Sequence, residues 1–261
     1  MNKREKIGWI CVLTTLLPLW AFAQPAQLIT SVRTIDTGKT KPAPEVTTEV
    51  AAQQATTAVN AMTLPLFGEV AKTPVHIEWE INFLSSCDQN FSSRDEASQF
   101  FAARAWDYLN EGQLDTAAYR FNLAYLLNER NAETYWGLGV VTYQRGQLPE
   151  SIRLLKKGVE VVDTNATLIT DLATVQLKYF QENKDSTLLK EAVNWLHKSA
   201  QLNPAYANTF MRLSWASYIQ GSYNEAWTYL HKAREIELSA IDLSYLEQLV
   251  SKQPDPQNIF K

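Results

Sequence analysis

Cysteine is scarce. Of the two in 261 residues, Cys11 and Cys87, the first falls in an N-terminal stretch read below as an export signal. A chain left with one thiol is not stapled by internal disulfides. Cys87 reads first as a small buried apolar side chain; an intermolecular disulfide or a reactive thiol are the other readings. Histidine is almost as rare, at His76, His197 and His231, and a metal needs several convergent ligands with supporting partners. His197 and His231 hold matching places in the repeat described below, on an expected outward face. His76-Ile77-Glu78-Trp79-Glu80 reads as a solvated face without the H-E-x-x-H spacing. There is no P-loop, no G-x-S-x-G and no C-x-x-C. Gly137-Leu138-Gly139 lacks the preceding strand and the third glycine of a dinucleotide loop and reads as helix packing. No residue is assigned a catalytic, cofactor-binding or metal-ligating role, and the chain is not read as an enzyme.

Positive charge and long apolar runs are also in short supply. The chain carries 24 Lys and Arg against 28 Asp and Glu, a balance that weighs against nucleic acid, which needs a concentrated basic face. Ile7 to Ala23 is the single extended apolar stretch, and Pro18 interrupts it. It follows the basic Lys3, Arg4 and Lys6 and ends in Ala21-Phe22-Ala23, the small-x-small pattern of a cleavable export signal, placing the mature start at Gln24. The rival reading is a retained anchor, at the short limit for spanning a bilayer. Cleavage would leave 21 bases against 27 acids, a formal charge of −6, and no transmembrane segment. The expected location is then the periplasm, the outer envelope or the extracellular space. Residues 24–62 hold no aromatic residue and too little apolar surface to offset chain entropy, and they read as a disordered linker.

What the chain does contain is a repeated phrase. GQLDTA begins at Gly112, GQLPES at Gly146 and GSYNEA at Gly221, and the second interval is more than twice the first. Aligned on the phrase, the frames 98–131, 132–165 and 207–240 share one length, about 34 residues each, while 166–206 is seven longer. The longer interval is therefore two periods plus those seven. Each frame reads as two helices. In the second, Tyr135, Leu138, Gly139 and Thr142 mark one helical face, Gly146 a turn free of Cβ cost, and Ser151, Leu155 and Gly158 a second stripe. Gly139, Ser151 and Gly158 let the two helices approach closely. Ala105, Ala117 and Ala124 hold those places in the first frame, and Ser214, Ala226 and Ala233 in the last. Such hairpins are stable only when stacked.

This pattern resembles the tetratricopeptide repeat, over four consecutive repeats from 98 to 240. Arg104, Thr142, Gln176 and Ser217 depart from its usual apolar positions, and its closing proline survives only as Pro204. The resemblance implies an all-α, right-handed solenoid. Residues 63–97 form its N-terminal capping segment, with a helix after Thr73-Pro74 buried through Ile77, Ile81 and Leu84, although alternation in 75–84 alone suggests a strand. Ser93 and Glu96 form a capping box. Residues 241–261 supply a closing helix with Leu243, Leu246, Leu249 and Val250 on its seam. The seven extra residues, between Lys178 and Leu188, are read as one added turn on each helix with Asp185 or Ser186 as cap. They are either a neutral length variant or a protruding contact knob.

The resemblance also implies a concave groove lined by the first helix of each repeat. In this sequence those positions bring Trp106, Leu109, Trp136, Val140, Tyr143, Met211, Trp215 and Tyr218 to one face. The residues with which some family members clamp a peptide carboxylate are missing. Three readings stand: a groove that binds a protein or peptide partner through aromatic anchors, one filled by the chain's own Leu64-Pro65-Leu66-Phe67, or ordinary packing. The expected function is an exported scaffold for protein–protein or protein–peptide interaction, without cofactor. The alternatives are a carbohydrate-binding protein and a purely structural element of an envelope assembly.

Overall fold

Six of the ten α-helices among the described residues begin at a side-chain oxygen. The computed structural model describes residues 61–260, so the export signal and nearly all of the proposed linker lie outside the described residues. The helices are α1 (Pro74–Asn90), α2 (Arg94–Asn110), α3 (Leu114–Leu127), α4 (Ala132–Gln144), α5 (Leu148–Val161), α6 (Ala166–Asn183), α7 (Ser186–Leu202), α8 (Ala207–Ile219), α9 (Tyr223–Ile236) and α10 (Leu243–Lys252). Thr73, Ser93, Asn131, Asn165, Asp185 and Asp242 each accept a hydrogen bond from a backbone N–H of the first turn that follows, which satisfies donors the helix leaves open. Glu96 reaches back to the N–H of Ser92 at 2.9 Å, completing a variant of the capping box one residue early.

The recurring phrase is a helix stop. Gly112, Gly146 and Gly221 adopt φ of 77°, 75° and 78°, the left-handed region that glycine enters at least cost. Around each, two bonds close the preceding helix: Gly146 N–H donates to Tyr143 O and Gln147 N–H to Thr142 O, and the same pair recurs at Gly112–Gln113 and Gly221–Ser222. This is the Schellman arrangement. The third hairpin lacks such a glycine, and Lys184 takes the left-handed conformation instead (φ 58°). Its extra residues extend both helices: α6 has 18 residues against 13 in α4 and α8, and α7 has 17 against 14 in α5 and α9. Asp185 caps α7.

Helices α2/α3, α4/α5, α6/α7 and α8/α9 pack as successive hairpins. The small residues lie at their crossings: Ala105, Ala117, Ala124, Ser151, Ser214, Ala226 and Ala233 are fully buried. A Cβ on Gly139 would stand 2.6 Å from Leu155 Cγ, and one on Gly137 would stand 1.9 Å from Phe121 Cζ. Thus Gly139 sets the approach within a hairpin, and Gly137 the approach between the first two. The hydroxyls of Ser151 and Ser214 turn inward to Gly139 O and Ala226 O, each at 2.7 Å, so the polar small residues leave no donor unmet. Thr170, Ser199 and Thr209 form a buried hydroxyl triangle with 2.9 Å edges between the third and fourth hairpins.

Three expectations about faces are corrected. Helix α1 exists, but its buried side is Glu80, Phe83 and Cys87, while Ile77 and Ile81 are 44% and 60% exposed. Aromatic area decides this: Trp79 stacks on Phe83 at 5.8 Å, and Phe83 meets Phe101 edge-on at 5.4 Å, burying more surface than an isoleucine pair would. Glu80 is tolerated inside because Lys72 Nζ donates to its Oε2 at 2.7 Å. Second, Tyr245 and Leu249 form the buried seam of α10 and Leu243 points outward. Third, His231 is not on an outward face. It is buried against Asp255 (Nε2 to Oδ1, 2.8 Å) and packed beside Trp227 and Phe260, three near-parallel rings with centroids 5.5 to 6.2 Å apart, because residues 254–260 fold back over α9. Cys87 is buried, and burial, with Asp88 adding to it, pushes its thiol up to about 11. It is held in the unreactive form at neutral pH.

Candidate functional site

The first helices α2, α4, α6 and α8 carry the face that the repeat pattern singles out. Its N-terminal part is a closed stack. Trp106 lies edge-on to Trp136 at 5.2 Å and to Phe121 at 5.4 Å. Trp106 Nε1 donates to Glu133 at 3.0 Å, and Trp136 Nε1 donates to Asp171 Oδ2 at 2.8 Å. Trp106 and Trp136 are 3% and 5% exposed, and Leu109, Val140 and Met211 are likewise buried. These five side chains lie inside the packing, with each indole N–H matched to a carboxylate from the next repeat.

Tyr143, Trp215 and Tyr218 remain partly exposed. Trp215 and Tyr218 stack face to face at 5.4 Å, and both lie edge-on to Tyr245 at 5.1 and 5.7 Å. Tyr245 is fixed from behind by Ser214, 2.7 Å between hydroxyl oxygens. The result is an aromatic platform whose rotamers are set by packing, and such rigid surface loses little entropy when it binds.

Between platform and closed stack lies a charged band. Lys178 Nζ sits 4.9 Å above the Tyr143 ring. Burial, followed by the opposing pull of Arg212 and the push of Asp171 and Glu182, drives the Tyr143 hydroxyl up to about 12, so it stays a neutral donor at physiological pH. Burial pulls Arg212 below its usual value, while Tyr143, Asp171, Tyr206 and Asp242 act to hold its charge.

Sequence reasoning placed the platform residues but missed Asp171, Lys178, Arg212 and Tyr245. Asp171 did carry a signal: it is the lone acid in ATLITDLATVQL, a helix whose neighbours Thr170, Leu172, Ala173 and Thr174 are all buried. The sequence alternative in which Leu64-Pro65-Leu66-Phe67 fills the groove is corrected. Those residues lie on the second-helix side of the first two hairpins, against Asn122 of α3, because that buried amide meets backbone groups there. Among the described residues no cluster of three or more His, Cys, Asp or Glu is arranged to hold a metal. No helix among them is long and apolar enough to cross a membrane.

No family model matches this chain, and no curated protein does. Solved structures do. TTC0263, a tetratricopeptide repeat protein of Thermus thermophilus, superposes with a TM-score of 0.52 at 17% identity, covering 62% of this chain and 94% of its own. The pilF protein of Pseudomonas aeruginosa superposes at 0.50 with 20% identity, covering 64% and 79%. At these identities the likeness establishes the fold, and the chain has the tetratricopeptide-repeat fold.

Proposed function

We propose that this protein is a scaffold that binds peptide segments of other proteins on its first-helix face, between Tyr143 and Tyr218. The observation that carries the reading is the partly exposed platform of Trp215 and Tyr218, with Tyr143 and the Lys178 ammonium over its ring on the same set of first helices. Rigid aromatics next to fixed charges are the composition of interaction hot spots, and nothing in the face has the nucleophile–base geometry that chemistry would need. Mechanistically, a partner's apolar side chain covers the platform while its carbonyl or carboxylate oxygens meet the Tyr143 hydroxyl and Lys178. Trp106 and Trp136 hold the wall without touching the partner. The export reading of residues 1–23 places this scaffold outside the cytoplasm and rests on the basic start, the apolar run and Ala21-Phe22-Ala23.

Panning a random peptide library on the full chain tests the proposal. Tyr218→Ala is expected to change unfolding free energy by no more than about 1 kcal/mol and to weaken selected peptides by about 2 kcal/mol or more, roughly thirtyfold. Tyr229→Ala, on α9, is expected to leave them unchanged. Equal binding by wild type and Tyr218→Ala would reject this face.

A further inference from the structure

A second recognition site is already occupied. Met62–Glu69 runs along the second-helix side of the first two hairpins, and its attachment is directed at main chain. The fully buried Asn122 side chain donates to Met62 O (2.8 Å) and Leu64 O (2.7 Å) and accepts from Leu66 N–H (2.9 Å). Arg145 donates to Thr63 O at 3.1 Å. An amide that commits its donors and its acceptor to one segment's backbone reads the path of a peptide and leaves its sequence to other contacts. Those contacts are few. Leu66 and Phe67 are buried, Phe67 edge-on to His76 and Trp79. Glu69 pairs with Arg153 at 2.9 Å and Lys157 at 3.4 Å. The requirement is thus two adjacent apolar residues, a glycine that turns at φ 72°, then an acid.

The occupant is strained, and its link to α1 is exposed. Leu66, Phe67 and Glu69 adopt φ of 52°, 57° and 50°, with Gly68 at 72° between them. Non-glycine residues enter this left-handed region only at a cost, and they stay where surrounding contacts impose it. Val70 through Thr73, the link to α1, is exposed throughout, so the segment can leave without disturbing a hairpin. We propose that the Asn122 site is a peptide-docking site on the face opposite the platform, and that Met62–Glu69 is its displaceable internal occupant. A partner peptide with the apolar–apolar–glycine–acidic pattern replaces it, and displacement frees the chain preceding α1.

The test uses the full chain with a protease site inserted between Val70 and Ala71, so that the segment can be severed after folding while Lys72 keeps its pair with Glu80. The probe is a fluorescent synthetic peptide of residues 61–70. After cleavage the peptide is expected to exchange into the site, raising its anisotropy, and to be competed by its unlabelled form. A Glu69→Lys peptide should bind at least tenfold more weakly, a Phe67→Ala peptide likewise, and Asn122→Leu in the protein should abolish exchange. The peptide variants leave the protein untouched, so they decide the matter even if Asn122→Leu fails to fold. Before cleavage, excess peptide should still bind, at lower apparent affinity. A severed segment that never exchanges, or exchange indifferent to both peptide substitutions, would overturn the proposal.

Discussion

Gly137→Leu is expected to destabilise the fold by about 3 kcal/mol or more, measured as a shift in denaturant midpoint, even though leucine is the better helix former by about 1 kcal/mol. The cause is the Phe121 ring. A Cβ at Gly137 would lie 1.9 to 2.3 Å from three of its carbons, and the ring cannot retreat. It is fully buried and meets Trp106 edge-on on its other flank. Relief requires the first two hairpins to separate, which undoes the stacking on which both depend. Gly139→Leu should also be severe but milder, because its first obstacle is the Leu155 side chain at 2.6 Å, a group with other rotamers, with backbone no nearer than 3.4 Å. A loss below about 1 kcal/mol at Gly137 would show that the hairpins do not meet there.

Trp136→Ala should cost about 3–5 kcal/mol of stability, the range for emptying a buried aromatic site. The indole is 5% exposed, packs on Trp106, and supplies a hydrogen bond to Asp171, itself 1% exposed. Truncation opens a cavity and strips one donor from a buried carboxylate, and the two losses act together. Trp215→Ala, by contrast, removes a half-exposed ring from the platform and should leave the denaturation midpoint nearly in place. If Trp136→Ala proved as stable as Trp215→Ala, the division of the face into closed wall and open platform would be wrong.

That division is where legibility in the sequence ends. The hairpins were readable because their determinants are local: a glycine that must take positive φ, small residues spaced to meet across a crossing, and an oxygen-bearing residue ahead of most first helices. Even the lengthened third hairpin followed from counting. Which side of α1 is buried was not readable, since Ile77, Ile81 and Leu84 make as regular a stripe as Trp79, Phe83 and Cys87, and only the presence of Phe101 on α2 selects between them. His231 looked outward for the same reason: its partner Asp255 and its stacking neighbour Phe260 come from the segment after α10, beyond the reach of repeat periodicity. On the candidate face, repeat positions identify which residues point inward but not how deeply the next helix covers them. Trp106 and Trp215 occupy equivalent places, yet the first has a following hairpin over it and the second has only α10. Exposure, and with it the capacity to bind, is set by position along the stack.

The binding claim is tested most directly by hydrogen–deuterium exchange on the full chain, free and saturated with a peptide selected against it. Added protection is expected in α4, α6 and α8, concentrated around Tyr143, Lys178 and Trp215. First helices left unaltered around these residues, wherever else protection arises, would contradict the account.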